Sequence, residues 1–150
     1  MKILFKTFVL ISLALSSHAA LAACTLDVEV GDALTFSSTQ MSVEKSCGTI
    51  TVNLKHNGKL AASVMGHNWV LAKDTDANDV AAKGLAAGLA NDYVPVGDTR
   101  VLASTKIIGG GESTSISFST DSLSAGGKYI YVCTFPGHSF VMRGTLNVGA

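Results

Sequence analysis

The chain has 150 residues and no net formal charge at neutral pH, and 47 % of its residues are apolar. That length suits one domain with a substantial core. No basic stripe runs through it, which gives no reason to propose a nucleic acid or an anionic membrane as partner.

Residues 1–22 have the pattern of a secretory leader. Lys2 and Lys6 supply a positive start, Phe8 to Leu15 an apolar run, and Ala20-Leu21-Ala22 a small-x-small cleavage pattern. The run is shorter than the ~20 residues needed to cross a bilayer, and no later stretch qualifies. Two other readings compete. The segment suits an amphipathic first helix, and Leu21-Ala22-Ala23-Cys24 fits a lipobox that would lipidate Cys24 and leave Cys47 without a partner. Against the lipobox, strand-like alternation begins at once, where a polar linker is usual. Cleavage after Ala22 leaves a domain of residues 23–150, with nine Lys/Arg against eleven Asp/Glu, a formal charge of −2. All three cysteines, Cys24, Cys47 and Cys133, lie in this exported part. An oxidising compartment permits disulfides, and three cysteines leave at least one thiol unpaired.

The mature chain reads as strands. Leu26, Val28 and Val30 alternate with polar residues, as do Ile50, Val52 and Leu54, Ile116 and Phe118, and Leu146 and Val148. This period of two marks strands with one face to the core and one to water. Tyr129 to Cys133 is aromatic and β-branched, as expected of a more central strand. Asn68 to Ala72 and Val101 to Ile108 supply further strands, and Gly109-Gly110-Gly111 and Ala125-Gly126-Gly127 mark turns. Residues 74–90 differ. They are rich in Ala, with Val80, Leu85 and Leu89 at helical spacing, Asp79 as a capping candidate, and Gly84 and Gly88 as weakening residues. The whole predicts an all-β Greek-key sandwich or barrel crossed by one short helical insertion.

The chemistry concentrates in Cys133 to Met142, C-T-F-P-G-H-S-F-V-M, which places a thiolate, the imidazole of His138 and a thioether within ten residues. Pro136-Gly137 supplies the bend that can turn these groups toward one point. A second imidazole, His67, stands upstream in M-G-H-N-W. Singly, each of these residues is ordinary: a buried cysteine, a core methionine, loop histidines. Together, two His, one Cys and a weak Met are the donor set of a blue-copper electron-transfer site. Structural zinc favours Cys/His sets without a thioether. A cysteine protease would need a Cys–His pair with an orienting group and would leave His67 and Met142 unexplained.

In M-G-H-N-W, C-T-F-P-G-H and the Cys-to-His spacing, the chain resembles the azurin family of small cupredoxins, over essentially all of residues 23–150. The resemblance implies an eight-stranded Greek-key sandwich with one copper ion, Cu(I) or Cu(II), near one end. It implies His67, Cys133 and His138 as strong ligands and Met142 and the Gly66 carbonyl as weak axial ones. Asn68 would tie the two ligand segments together, and backbone N–H groups would bond the Cys133 sulfur. It also implies a Cys24–Cys47 disulfide, which leaves Cys133 to the metal. Trp69 would be the family's buried tryptophan; read from the residues, it is a core anchor whose side chain points opposite to that of His67 if both lie on one strand, hence into the sandwich core. Leu34, Met65, Phe135 and Pro136 would surround an exposed His138 as the docking patch for redox partners. His56 resembles the family's non-ligand histidine coupled weakly to the site; it reads equally well as a surface or satisfied histidine. Val132 and Asn57 stand where the family commonly has an aromatic residue and proline.

The expectation is therefore a monomeric periplasmic one-electron carrier and not an enzyme. A copper oxidase or reductase needs further histidine-rich centres, and beyond the leader only His56, His67 and His138 remain. A copper carrier or storage protein, or a metal-free module on this scaffold, accounts less well for a complete fixed donor set.

Overall fold

A computed structural model describes residues 23–150 of the chain; the leader reading of residues 1–22 lies outside them. Alternation is realised first in β1 (Thr25–Val30), where Leu26, Val28 and Val30 face inward, and in β3 (Thr49–His56), where Ile50, Val52, Leu54 and His56 do. Between them lies β2 (Gln40–Glu44), which buries Met41 and Val43 and was not among the expected strands. The later strands are β4 (Val70–Lys73), β5 (Ala103–Ser104), β6 (Ser113–Ser119), β7 (Lys128–Val132) and β8 (Arg143–Gly149). They assemble as two sheets, ordered β1-β3-β6 and β2-β8-β7-β4-β5. The pairs β1–β3 and β2–β8 are parallel, and the other pairs are antiparallel.

The main core fills the space between the sheets, from Val28, Ile50 and Leu54 on one side to Leu71, Tyr131 and Leu146 on the other. Trp69 belongs to it, lying flat against Tyr131. The expectation that Trp69 points away from His67 is corrected: residues two apart share a face in extended chain, and both side chains are fully buried. β4 and β7 are covered on both faces. Leu71 and Tyr131 enter the main core, while Val70, Ala72 and Val132 join Ala77 and Val80 in a second cluster.

That second cluster seats α2 (Ala77–Ala87), the helical insertion. Asp79 does not cap it. The N-cap position is Asp76, without a side-chain cap bond, and Asp79 lies in the first turn, where its charge suits the helix dipole and pairs with Arg100 at 3.2 Å. Gly88 ends the helix at φ +71°, a conformation that favours glycine. A second, four-residue helix, α1 (Ala62–Met65), was not expected; it delivers the chain to Gly66 and His67. Val101 to Ile108 is less regular than a full strand, contributing only β5 and an isolated bridge between Ile108 and His67.

The disulfide joins Cys24 to Cys47. It occupies the thiol that the lipobox reading would lipidate. Strands β1 and β3 run parallel from this disulfide end, where Thr25 pairs Thr51, to the far end, where Val30 pairs His56.

Candidate metal centre

The far end of the sandwich gathers the expected donors. Cys133 follows the last residue of β7, and the turn from there to β8 folds back on itself. Cys133 N–H donates to the Met142 carbonyl (3.0 Å), and the N–H groups of Val141 and Met142 donate to the His138 carbonyl (3.1 and 2.8 Å). Gly137 sits at φ +82°, where a side chain is strained, so the Pro136-Gly137 bend depends on glycine. His67 arrives from the other ligand segment, held by a pair of backbone bonds with Ile108.

Cys133 Sγ lies 3.7 Å from His67 Nδ1, 3.5 Å from His138 Nδ1 and 4.0 Å from the Gly66 carbonyl oxygen. The three donor atoms of His67, Cys133 and His138 all fall within 4.8 Å of one another. Met142 is fully buried in the same core. His67 Nε2 is 2.8 Å from the Gly31 carbonyl, which can only accept; the ring proton is therefore on Nε2, and Nδ1 presents its lone pair to the site.

The surroundings prepare these groups. Asn68 Nδ2–H donates to Thr134 Oγ1 (2.8 Å) and to the Asp92 carbonyl (2.7 Å), and Thr134 N–H returns a bond to Asn68 Oδ1 (2.9 Å). Asn68 thus ties the His67 segment to the Cys133 loop, as the resemblance implied. Burial pushes the Cys133 thiol up to about 11, against the pull of the Asn68 and Phe135 backbone N–H groups. Burial brings His138 down to about 4, with His67 adding repulsion. Burial also lowers His67, partly offset by the Gly31 bond. At neutral pH the metal-free site therefore holds two neutral imidazoles and one protonated thiol, and a cation must displace only the thiol proton.

One expectation needs correction, and one choice left open is decided. His138 is not exposed. Only 4 % of it reaches solvent, because Phe135 (ring centroids 4.5 Å away) and His67 (5.0 Å) cover its ring. His56 is the satisfied histidine, not the surface one. It is fully buried, stacks on His67 at 5.1 Å, accepts from Gly58 N–H at Nδ1 (3.0 Å), and so donates from Nε2 to the Met65 carbonyl (3.1 Å).

Sequence reasoning missed Gly31, Asp92, Thr134 and Thr105. Gly31 acts through a carbonyl. Asp92 adopts φ +54° and receives Ile107 N–H, and Thr105 receives Trp69 N–H. None carries a residue-type signal; only Thr134, beside Cys133, had a position that invited attention.

A buried thiol beside two imidazole Nδ1 atoms, with a thioether in the same core, fits copper better than zinc. Comparison with known proteins agrees. Residues 22–149 match the family described as copper binding proteins of the plastocyanin/azurin family. The chain belongs to this family. Azurin of Achromobacter denitrificans is 50 % identical over 146 residues, covering 97 % of this chain and 98 % of that one. Azurin-2 of Alcaligenes xylosoxydans xylosoxydans is 51 % identical, covering 86 % and 100 %. A solved azurin structure from the obligate methylotroph Methylomonas sp. strain J superposes with a TM-score of 0.82 at 48 % identity, covering 86 % of this chain and all of that one. The fold is thus the cupredoxin sandwich of the azurins. The cofactor is copper at a type 1 site of His67, Cys133, His138 and Met142. An azurin-type protein is an electron carrier, not an enzyme.

Proposed function

We propose that this chain is a monomeric periplasmic shuttle, passing single electrons between larger redox proteins after removal of a leader at residues 1–22. The observation that carries the reading is the convergence of two imidazole Nδ1 atoms on one buried thiol sulfur. Copper supplies a one-electron change of oxidation state. The residues do the rest. His67, Cys133 and His138 would supply the strong donors to the copper, and Met142 and the Gly66 carbonyl the weak ones. The Asn68–Thr134 and His67–Gly31 bonds are made within the protein and would hold these donors in place in either oxidation state of the metal. Burial keeps water out. The Cys24–Cys47 disulfide suits an oxidising compartment. Among the described residues no helix is long and apolar enough to cross a membrane.

Partners would dock where the ligand loop meets the surface. There the His138 ring comes nearest the surface of the ligand loop, 4 % exposed beneath Phe135. The apolar rim there would comprise Leu34, Met65 and Pro136 with the nearly buried Phe135, and Phe140 and Val141 of the ligand loop, 89 % and 62 % exposed, would extend it. Such a patch is the expected contact surface of a transient redox partner. Met65→Lys should slow electron exchange with partner proteins while leaving the visible copper spectrum unchanged, by stopped-flow absorbance. Exchange at the wild-type rate would rule out docking at this rim.

A further inference from the structure

The carboxylate of Asp32 does work that the ligand set does not explain. Its Oδ1 accepts from the N–H groups of Lys59 (3.1 Å) and Leu60 (3.1 Å), and its Oδ2 from Lys59 N–H (2.9 Å). These bonds continue the pairing of β1 and β3 past the ends of both strands, beyond the last backbone bond from Asn57 N–H to the Val30 carbonyl (2.8 Å). The two segments so joined both reach His67. On one side, Gly31, next to Asp32, presents the carbonyl that holds His67 Nε2–H. On the other, Gly58 donates to His56 Nδ1, and His56 both stacks on His67 and holds the Met65 carbonyl just before Gly66. The fit is close: a Cβ on Gly58 would lie 2.2 Å from Asp32 Oδ1. Asp32 is exposed, yet both its carboxylate oxygens accept from backbone donors, which also hold its carboxyl below the usual range.

We propose that Asp32 is a positioning residue for the metal centre, clamping the 57–60 loop against the Gly31 turn so that the Gly31 carbonyl fixes the tautomer and orientation of His67. The proposal rests on His67 being a ligand, and its test can be read without copper.

The measurement is histidine-selective and amide 15N NMR of the copper-free protein, following hydrogen exchange at His67 Nε2–H and at the Lys59 and Leu60 amides. In the wild type these three protons should be protected together. Loss of a charged acceptor with two backbone donors should speed His67 Nε2–H exchange about tenfold or more in Asp32→Ala. Asp32→Asn keeps an acceptor oxygen and removes the charge. It should largely restore protection and, in the copper-loaded protein, leave the thiolate absorption band in place, where Asp32→Ala shifts it. Folded Asp32→Ala with wild-type His67 exchange and an unmoved band would overturn the proposal. So would a wild type in which Lys59 and Leu60 exchange freely while His67 stays protected, a result that needs no variant to fold. Protection that behaves as expected in a protein that gives no blue copper spectrum would uphold the clamp and refute the ligand reading beneath it.

Discussion

Trp69 carries the sharpest physical constraint on any single residue. Its ring is fully buried and stacked on Tyr131, with centroids 5.6 Å apart and planes 19° from parallel. Its Nε1–H has no hydrogen-bond partner among the described residues. A desolvated donor costs roughly 1–3 kcal/mol, which the large apolar burial of the ring outweighs. Fluorescence of the copper-free protein should therefore peak far to the blue of indole in water; a water-like peak would contradict the placement. Trp69→Phe removes the orphan donor along with some packing. It should cost clearly less than the ~3–5 kcal/mol typical of truncating a buried aromatic to alanine, by urea denaturation. The copper donors were legible in the sequence because their residue types are informative in combination. Gly31 and Asp92 were not, because each contributes a backbone carbonyl whose value depends on where the chain brings it.

At the scale of elements, α2 shows how packing overrides propensity. Gly84 reads in sequence as a weak point of the helix. In the fold it lies against the Tyr93 carbonyl, whose oxygen would be 2.2 Å from an added Cβ. Gly84→Ala gains about 1 kcal/mol of helix propensity but forces backbone apart at a typical cost of ~1–3 kcal/mol. Net destabilisation is expected in thermal melts, and a stabilised variant would show that α2 can shift freely. The segment following α2 is anchored by Arg100, which binds Asp98 at 2.7 Å and Asp79 at 3.2 Å. The Arg100 side chain, then its backbone N–H, holds the Asp98 carboxyl well below the ordinary 3.8. A depressed folded value means that Asp98 contributes its full stability above about pH 4 and loses it as pH falls further. Asp98→Asn should flatten that acid limb of the stability curve; an unchanged limb would remove the pair from the account. β2 escaped sequence reading for a related reason. It offers only Met41 and Val43 as inward positions, and its parallel pairing with β8 is a long-range choice that no local pattern announces.

Across the whole molecule, the disulfide and the metal centre sit at opposite ends of the same strands. β1 and β3 start beside Cys24 and Cys47 and end beside Gly31 and His56, a span of about 20 Å for six residues of strand. One end of the sandwich is tied covalently, and the other is closed by the ligand loop and its bonds to Asn68. Two-sheet architecture was legible from the alternation of period two and the turn glycines. The order β2-β8-β7-β4-β5 was not, since it depends on which buried faces complement one another. The central claim is that this scaffold brings four donors from two segments to one copper ion. The most direct test is the visible absorption and EPR spectrum of the protein after adding Cu(II). An intense blue thiolate-to-copper band with small copper hyperfine splitting, lost on reduction and in Cys133→Ser, is the expected result. A weak, ordinary cupric spectrum, or no binding, would contradict the account by showing that the four donors do not converge on the metal.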